Sequence, residues 1–181
     1  GTYIEPHTVS KIEITSTGEV IDFEETYYQA EKHQAISEES AFMIREVMTE
    51  CVKDGGYAYG VLNLGYQIGA KSGTSNHSTD PSKVANSRLC GQSKDGWMTA
   101  FSPDYAWSVW TGYNAESQKA GKYLLSNRDA NNVSAIIAKY IHSDGVKNSY
   151  SSQPDGVVKA TCISGIYPYV SPGEGVPSNR K

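Results

Sequence analysis

Cysteine is scarce in this sequence. Cys51, Cys90 and Cys162 are an odd number at wide spacing. They build neither a disulfide framework nor a CxxC metal site and read as isolated thiols. Histidine is sparse too. His7, His33, His77 and His142 lie in four separate segments, none beside donors at metal-ligand spacing, so each reads as a surface histidine. No run approaches the roughly 20 apolar residues of a membrane helix. The first residues, Gly1 to Pro6, lack the basic-then-apolar pattern of a signal peptide. A basic excess is missing as well. The net charge is −4, which argues against nucleic acid as a partner.

What the chain does have is 13 tyrosines and 17 glycines against three phenylalanines. That balance suits exposed sheet, turns and loops more than a helical bundle. With 38% hydrophobic residues in 181, a packed core is expected.

Residues 9 to 23 read as a hairpin turning at Ser16-Thr17-Gly18. The polar stretch 24 to 36 reads as a connection. A helix follows, with Ser37 as N-cap and Glu38 and Glu39 in its first turn. Ile44, Val47, Met48 and Cys51 fall on one apolar face, and Asp54-Gly55-Gly56 stops the helix. Tyr66 to Ser75 ends in a strand. Asn76 to Asp95 reads as a long polar loop, mobile and bordering a cleft. Trp97–Phe101 and Tyr105–Tyr113 read as a hairpin around Ser102-Pro103-Asp104. Large residues on both faces of its second arm predict a central strand covered on both sides. Val133, Ile136, Ile137, Tyr140 and Ile141 form a second helical face, capped by Asn131 or Asn132. Val157 to Ile163 reads as a short final strand, and residues 164–181 as a Pro/Gly/Ser-rich tail.

Some motifs carry little. Asn76-His77-Ser78 and Asn132-Val133-Ser134 fit the N-glycosylation pattern by chance. Ser178 and Lys181 fit S-x-x-K in the tail, where nothing would activate the serine; an exposed lysine keeps a pKa near about 10.4. Lys71-Ser72-Gly73-Thr74 is more informative. Serine acyl-transfer enzymes of the penicillin-binding class use K-[ST]-G on a strand beside the nucleophile. Glycine lets a substrate backbone lie along the strand. Ser72 and Thr74 point to one side by alternation, where two hydroxyls could hold a carboxylate. Lysine supplies a positive field.

Several ordered stretches resemble one family. Gly1 to Ile12 resembles a segment leading into a hairpin, and Ala41-Phe42-Met43 the helix after it. Gly69-Ala70-Lys71-Ser72-Gly73-Thr74-Ser75 resembles A-G-K-T-G-T-T. Asp95 to Tyr105, Val109 to Asn114 and Pro154 to Val158 resemble later strands and the closing segment. In this order they resemble the C-terminal part of the transpeptidase domain of class A penicillin-binding proteins, the bifunctional peptidoglycan synthases. The likeness runs from residue 1 to about 163. Ser72 stands where that family usually has threonine.

The resemblance implies an α+β fold of the serine β-lactamase and penicillin-binding type: mostly antiparallel sheet with flanking helices. Residues 1–163 would be the C-terminal portion of the domain. It implies D,D-transpeptidation through an acyl-serine intermediate. The partners would be the D-Ala-D-Ala stem peptide and β-lactam antibiotics. Lys71 would position and polarise the serine of a separate S-x-N motif. Ser72, Gly73 and Thr74 would bind substrate, and the Thr74 N–H would be an oxyanion donor. No metal or organic cofactor is implied. S-x-x-K and S-x-N are expected upstream of Gly1, in an N-terminal half of the domain that this chain would need as a partner. An upstream anchor would hold the protein at the outer face of the bacterial cytoplasmic membrane. The alternative is a non-catalytic penicillin-binding-like module that binds muropeptide or a protein partner.

Overall fold

The computed structural model describes residues 1–23, 31–126, 128–145, 148–159 and 169–170. The chain divides into two compact units: Gly1–Met43 with Gln153–Lys181, and Ile44–Ser152.

The first unit is built from paired strands. β1 (Thr2–Ile4) pairs antiparallel with β4 (Lys32–Gln34), so the stretch expected to be a plain connection supplies a strand. β2 (Lys11–Ile14) and β3 (Glu19–Asp22) form the expected hairpin. Its turn closes when the Gly18 N–H donates to Ile14 at 2.8 Å, with Gly18 at φ +73°, where glycine avoids strain. β8 (Val158–Lys159) pairs with β9 (Tyr169–Val170), so two residues of the expected tail are in a strand. The remainder of the Val157–Ile163 expectation lies outside the described residues.

Helix α1 (Glu38–Glu50) starts where the sequence predicts. The Ser37 hydroxyl accepts the Ser40 N–H at 3.2 Å, and both glutamates sit in the first turn. Its burial differs from expectation. Phe42 is buried, while Ile44 and Val47 of the predicted apolar face are exposed.

The second unit carries a three-stranded antiparallel sheet in the order β5 (Gly69–Asn76), β6 (Ser93–Phe101), β7 (Ala106–Gly112). Helix α2 (Tyr59–Leu62) precedes the sheet and α3 (Ala115–Lys119) follows it. Helix α4 (Asp129–Ile141) packs on β6 and β7. Ala70, Met98, Ala100 and Val109 of the sheet meet Ala130, Ala135 and Ala138 of α4 in the core, with Leu62 and Ile68. Mainly the small residues of α4 face the sheet, and of the predicted face Ile137 packs against this core. Val133, Ile136 and Tyr140 point outward, Tyr140 at 79% exposure. The reason is room: an alanine and serine stripe lets the helix approach Trp107, whose indole N–H donates to the Ser134 hydroxyl at 2.7 Å. The helix also begins at Asp129, ahead of the predicted caps Asn131 and Asn132.

Two further expectations are corrected. β6 is the central strand and β7 lies at the edge of this sheet among the described residues. Trp107 and Val109 face α4, whereas Trp110 pairs across the strands with Trp97 on the open face, ring centroids 6.4 Å apart. Large residues on both faces therefore do not require cover on both faces. The stretch expected to be a long polar loop after β5 supplies a core residue and the start of a strand. Leu89 is completely buried, Asp80 and Asn86 cap two short 3-10 turns, and β6 begins at Ser93.

His142, read as a surface residue, is 2% exposed. It stacks on Tyr66 at 4.5 Å and meets Tyr105 edge-on. Its Nδ1 lies 2.7 Å from the Ala138 carbonyl and its Nε2 2.9 Å from the Ser102 hydroxyl. Because Nδ1–H must donate to the carbonyl, Nε2 accepts the Ser102 proton. Ser102 in turn accepts the Asp104 and Tyr105 N–H groups, so the β6–β7 turn is tied to the end of α4.

Candidate active site

The four residues singled out from the sequence lie on β5. Gly69 to Asn76 pairs with β6 from Gly69↔Phe101 through Ser75↔Asp95, with a register shift before Asn76. The other edge of β5 has no strand partner among the described residues.

Which backbone groups face that free edge is fixed by Tyr57. Its phenolic hydroxyl donates to the Ala70 carbonyl at 3.0 Å and accepts the Ser72 N–H at 2.7 Å. Residues 70 and 72 therefore turn their polar groups away from β6. By the two-residue repeat, so does Thr74. The Thr74 N–H and carbonyl are presented to the open edge.

Strand alternation also separates the side chains. Ser72 and Thr74 share the face of Ala70, as the sequence predicts. Lys71 starts from the opposite face, opposite Thr99. Its ammonium curls back to the edge and donates to the Ser72 carbonyl at 2.7 Å. It also lies 5.8 Å from the centre of the Tyr57 ring. The edge thus gathers one cation, two hydroxyls and, beyond the Ser72 N–H bonded to Tyr57, the outward-facing Thr74 N–H within four residues.

Gly73 has a structural duty besides any contact with substrate. A Cβ there would sit 3.2 Å from the Trp97 Cβ, so the cross-strand indole occupies the space. At the far end of the strand, the Ser75 hydroxyl donates to Asp95 at 2.6 Å and the Trp110 indole N–H donates at 3.0 Å. The Ser75 bond is the main cause holding the Asp95 carboxyl below its ordinary pKa. One carboxylate thereby ties β5, β6 and β7 together beside the site.

Tyr57 was not legible as a site residue. The only hint was its position directly after the Asp54-Gly55-Gly56 stop. Burial and the neighbouring Cys51 thiol push its phenol up to about 12, so it remains a neutral donor and acceptor at ordinary pH. A cavity of about 550 Å³ lined by Arg45, Thr49, Tyr59, Gln67 and Tyr150 lies elsewhere in this unit. None of residues 71–74 lines it. The candidate site is a strand edge, not a closed pocket. Among the described residues no group of three or more His, Cys, Asp or Glu side chains could hold a metal.

A profile of the penicillin binding protein transpeptidase domain matches residues 1–142. The chain belongs to that family. It is also 31% identical over all 181 residues to penicillin-binding protein 1A/1B of Bacillus subtilis (strain 168), of which it spans 19%. The fold is accordingly that of a transpeptidase domain, in part, and the antiparallel sheets and flanking helices agree with the α+β expectation. In this chain the β5 edge brings the K-S-G motif and open backbone groups together. No helix among the described residues is long and apolar enough to cross a membrane.

Proposed function

We propose that this chain forms one wall of a D,D-transpeptidase active site in a peptidoglycan synthase. The observation that carries the reading is the β5 edge, where the Lys71 ammonium and the outward Thr74 N–H flank the Ser72 carbonyl. The acyl donor is a stem peptide ending in D-Ala-D-Ala, and β-lactams are its competitors.

The chemistry needs a serine from outside these motifs. Its oxygen attacks the carbonyl carbon of the penultimate D-Ala. The C–N bond breaks and terminal D-Ala leaves as an amine, taking the proton the serine gave up. An acceptor amine then takes the acyl group and the serine regains its proton. Lys71 polarises and positions that serine. The Thr74 N–H stabilises the oxyanion, a contribution of about 3 kcal/mol per donor. The Ser72 and Thr74 hydroxyls hold the terminal carboxylate. A cation 4 Å from that carboxylate contributes about 1 kcal/mol in water and about 4 kcal/mol in a partly desolvated site. Closing the site against its other wall is what makes the lysine effective. The protein would work at the outer face of the cytoplasmic membrane, held by an upstream anchor.

The test is covalent labelling of the full-length protein by fluorescent penicillin, followed by peptide mapping. The adduct is expected on a serine of an S-x-x-K sequence preceding Gly1. An adduct on Ser72 or Ser178, or none at all, would reject the assignment.

A further inference from the structure

The β5 edge offers backbone groups in a fixed order from Ala70 through Ser72 to Thr74. The first of them are already occupied. The Tyr57 hydroxyl takes the Ala70 carbonyl and the Ser72 N–H, and the Lys71 ammonium takes the Ser72 carbonyl. Among the described residues, Thr74 is the first rung left for an added strand. Tyr57 is brought there by a tight approach of its own chain. A Cβ on Gly56 would lie 2.3 Å from the Cys51 carbonyl oxygen, and Gly55 has φ +85°. These two glycines deliver the phenol to the edge.

We infer that Tyr57 is a positioning residue that closes the β5 edge short of Thr74 and so restricts the acyl donor to a peptide whose chain ends beside Lys71. The inference rests on the transpeptidase reading and adds a determinant of substrate length to it. A peptide adding antiparallel to β5 runs against its direction. Its C-terminal side therefore lies toward Lys71 and Ser72, and its N-terminal side beyond Asn76. From the Thr74 rung to the Ser72 rung is about 7 Å, two residues of strand. That distance accommodates one terminal residue and its carboxylate against the Lys71 ammonium. A further residue would need the rung that Tyr57 fills.

The experiment compares two donors with the full-length protein: a peptide ending in D-Ala-D-Ala and the same peptide extended by one C-terminal glycine. Release of D-Ala and of D-Ala-Gly is measured. Wild type is expected to favour the terminal donor. Tyr57→Phe, which keeps the ring, and Tyr57→Gly, which removes it, should lower that preference by about tenfold or more, the worth of a pair of backbone hydrogen bonds. The change should come through KM of the extended donor, with kcat much less affected. An unchanged preference in active, folded variants overturns the inference. If neither variant folds, amide-resolved hydrogen exchange on wild type decides. The Ser72 amide should exchange slowly with and without the D-Ala-D-Ala peptide, and the Thr74 amide should slow only when the peptide is present. A Ser72 amide that exchanges freely until peptide binds overturns it. Acylation of wild type by neither donor nor penicillin would instead reject the transpeptidase reading, and this inference with it.

Discussion

Replacing His142 by alanine should destabilise the unit that carries the site by about 3–4 kcal/mol. The ring is 2% exposed and fills the space between Tyr66, Tyr105 and Trp107. Cutting a buried side chain of this size to alanine costs about 2–5 kcal/mol through lost contacts and the cavity left behind. The substitution also removes the acceptor of the Ser102 hydroxyl proton, and Ser102 is itself buried. An unsatisfied buried donor costs about 1–3 kcal/mol, partly overlapping the first figure because the site relaxes. For a chain of this length each kcal/mol shifts Tm by about 2–4 °C, so a fall of about 10 °C is expected. Tryptophan fluorescence during thermal and urea unfolding reads it, since Trp107 borders the ring. His142→Gln keeps an acceptor but not the ring and should fall between. A loss below about 1 kcal/mol for the alanine variant would refute the buried tie between the β6–β7 turn and α4.

Three other outcomes follow from the same geometry. Thr74→Pro should leave folding largely intact, because an N–H on a free strand edge contributes nothing to the ladder, yet slow acylation by penicillin about 10²–10³-fold beyond a Thr74→Ala control. Unfolding of the proline variant would mean that the N–H faces β6. Asp95 has a folded pKa below its ordinary value, so the stability it contributes is complete above the ordinary carboxylate pKa and is lost as pH falls through the lowered one. Urea midpoints measured between about pH 5 and pH 2 should therefore fall less steeply in Asp95→Asn than in wild type; identical slopes would refute the tie. Gly73→Val should crowd the Trp97 Cβ and lower Tm, and a paired Trp97→Ala should recover part of the loss.

Much of this architecture was legible because it depends on local signals. The Ser37 cap, the β2–β3 turn at Gly18 and the strand bearing Lys71 come from residue types whose conformational preferences act within a few positions. The helix faces were not legible. Ile44, Val47, Ile136 and Tyr140 fit an apolar stripe at helical spacing, but periodicity identifies a stripe and not which stripe is used. In α4 the alanines at 130, 135 and 138 pack on the sheet because closeness to Trp107 outweighs side-chain size. His142 was misread for a related reason. A lone histidine carries no sequence mark of burial, and its partners Tyr66, Ser102 and Tyr105 lie far from it along the chain. Tyr57 shows the limit of motif reading. The K-S-G pattern marks the strand, but the phenol that closes its edge arrives from another segment, through hydrogen bonds to backbone atoms that any residue could supply.

The most direct test of the central reading is the acylation rate of Lys71→Ala in the full-length protein. Lys71 is exposed, and its ammonium donates to the neighbouring Ser72 carbonyl at the strand edge, so the variant should fold and melt as wild type does. If this edge is a wall of the transpeptidase site, the second-order rate of labelling by fluorescent penicillin should fall by about tenfold or more, since a partly desolvated cation is worth several kcal/mol to a developing anion. Labelling at the wild-type rate in a folded Lys71→Ala protein would remove Lys71, and with it the β5 edge, from the chemistry.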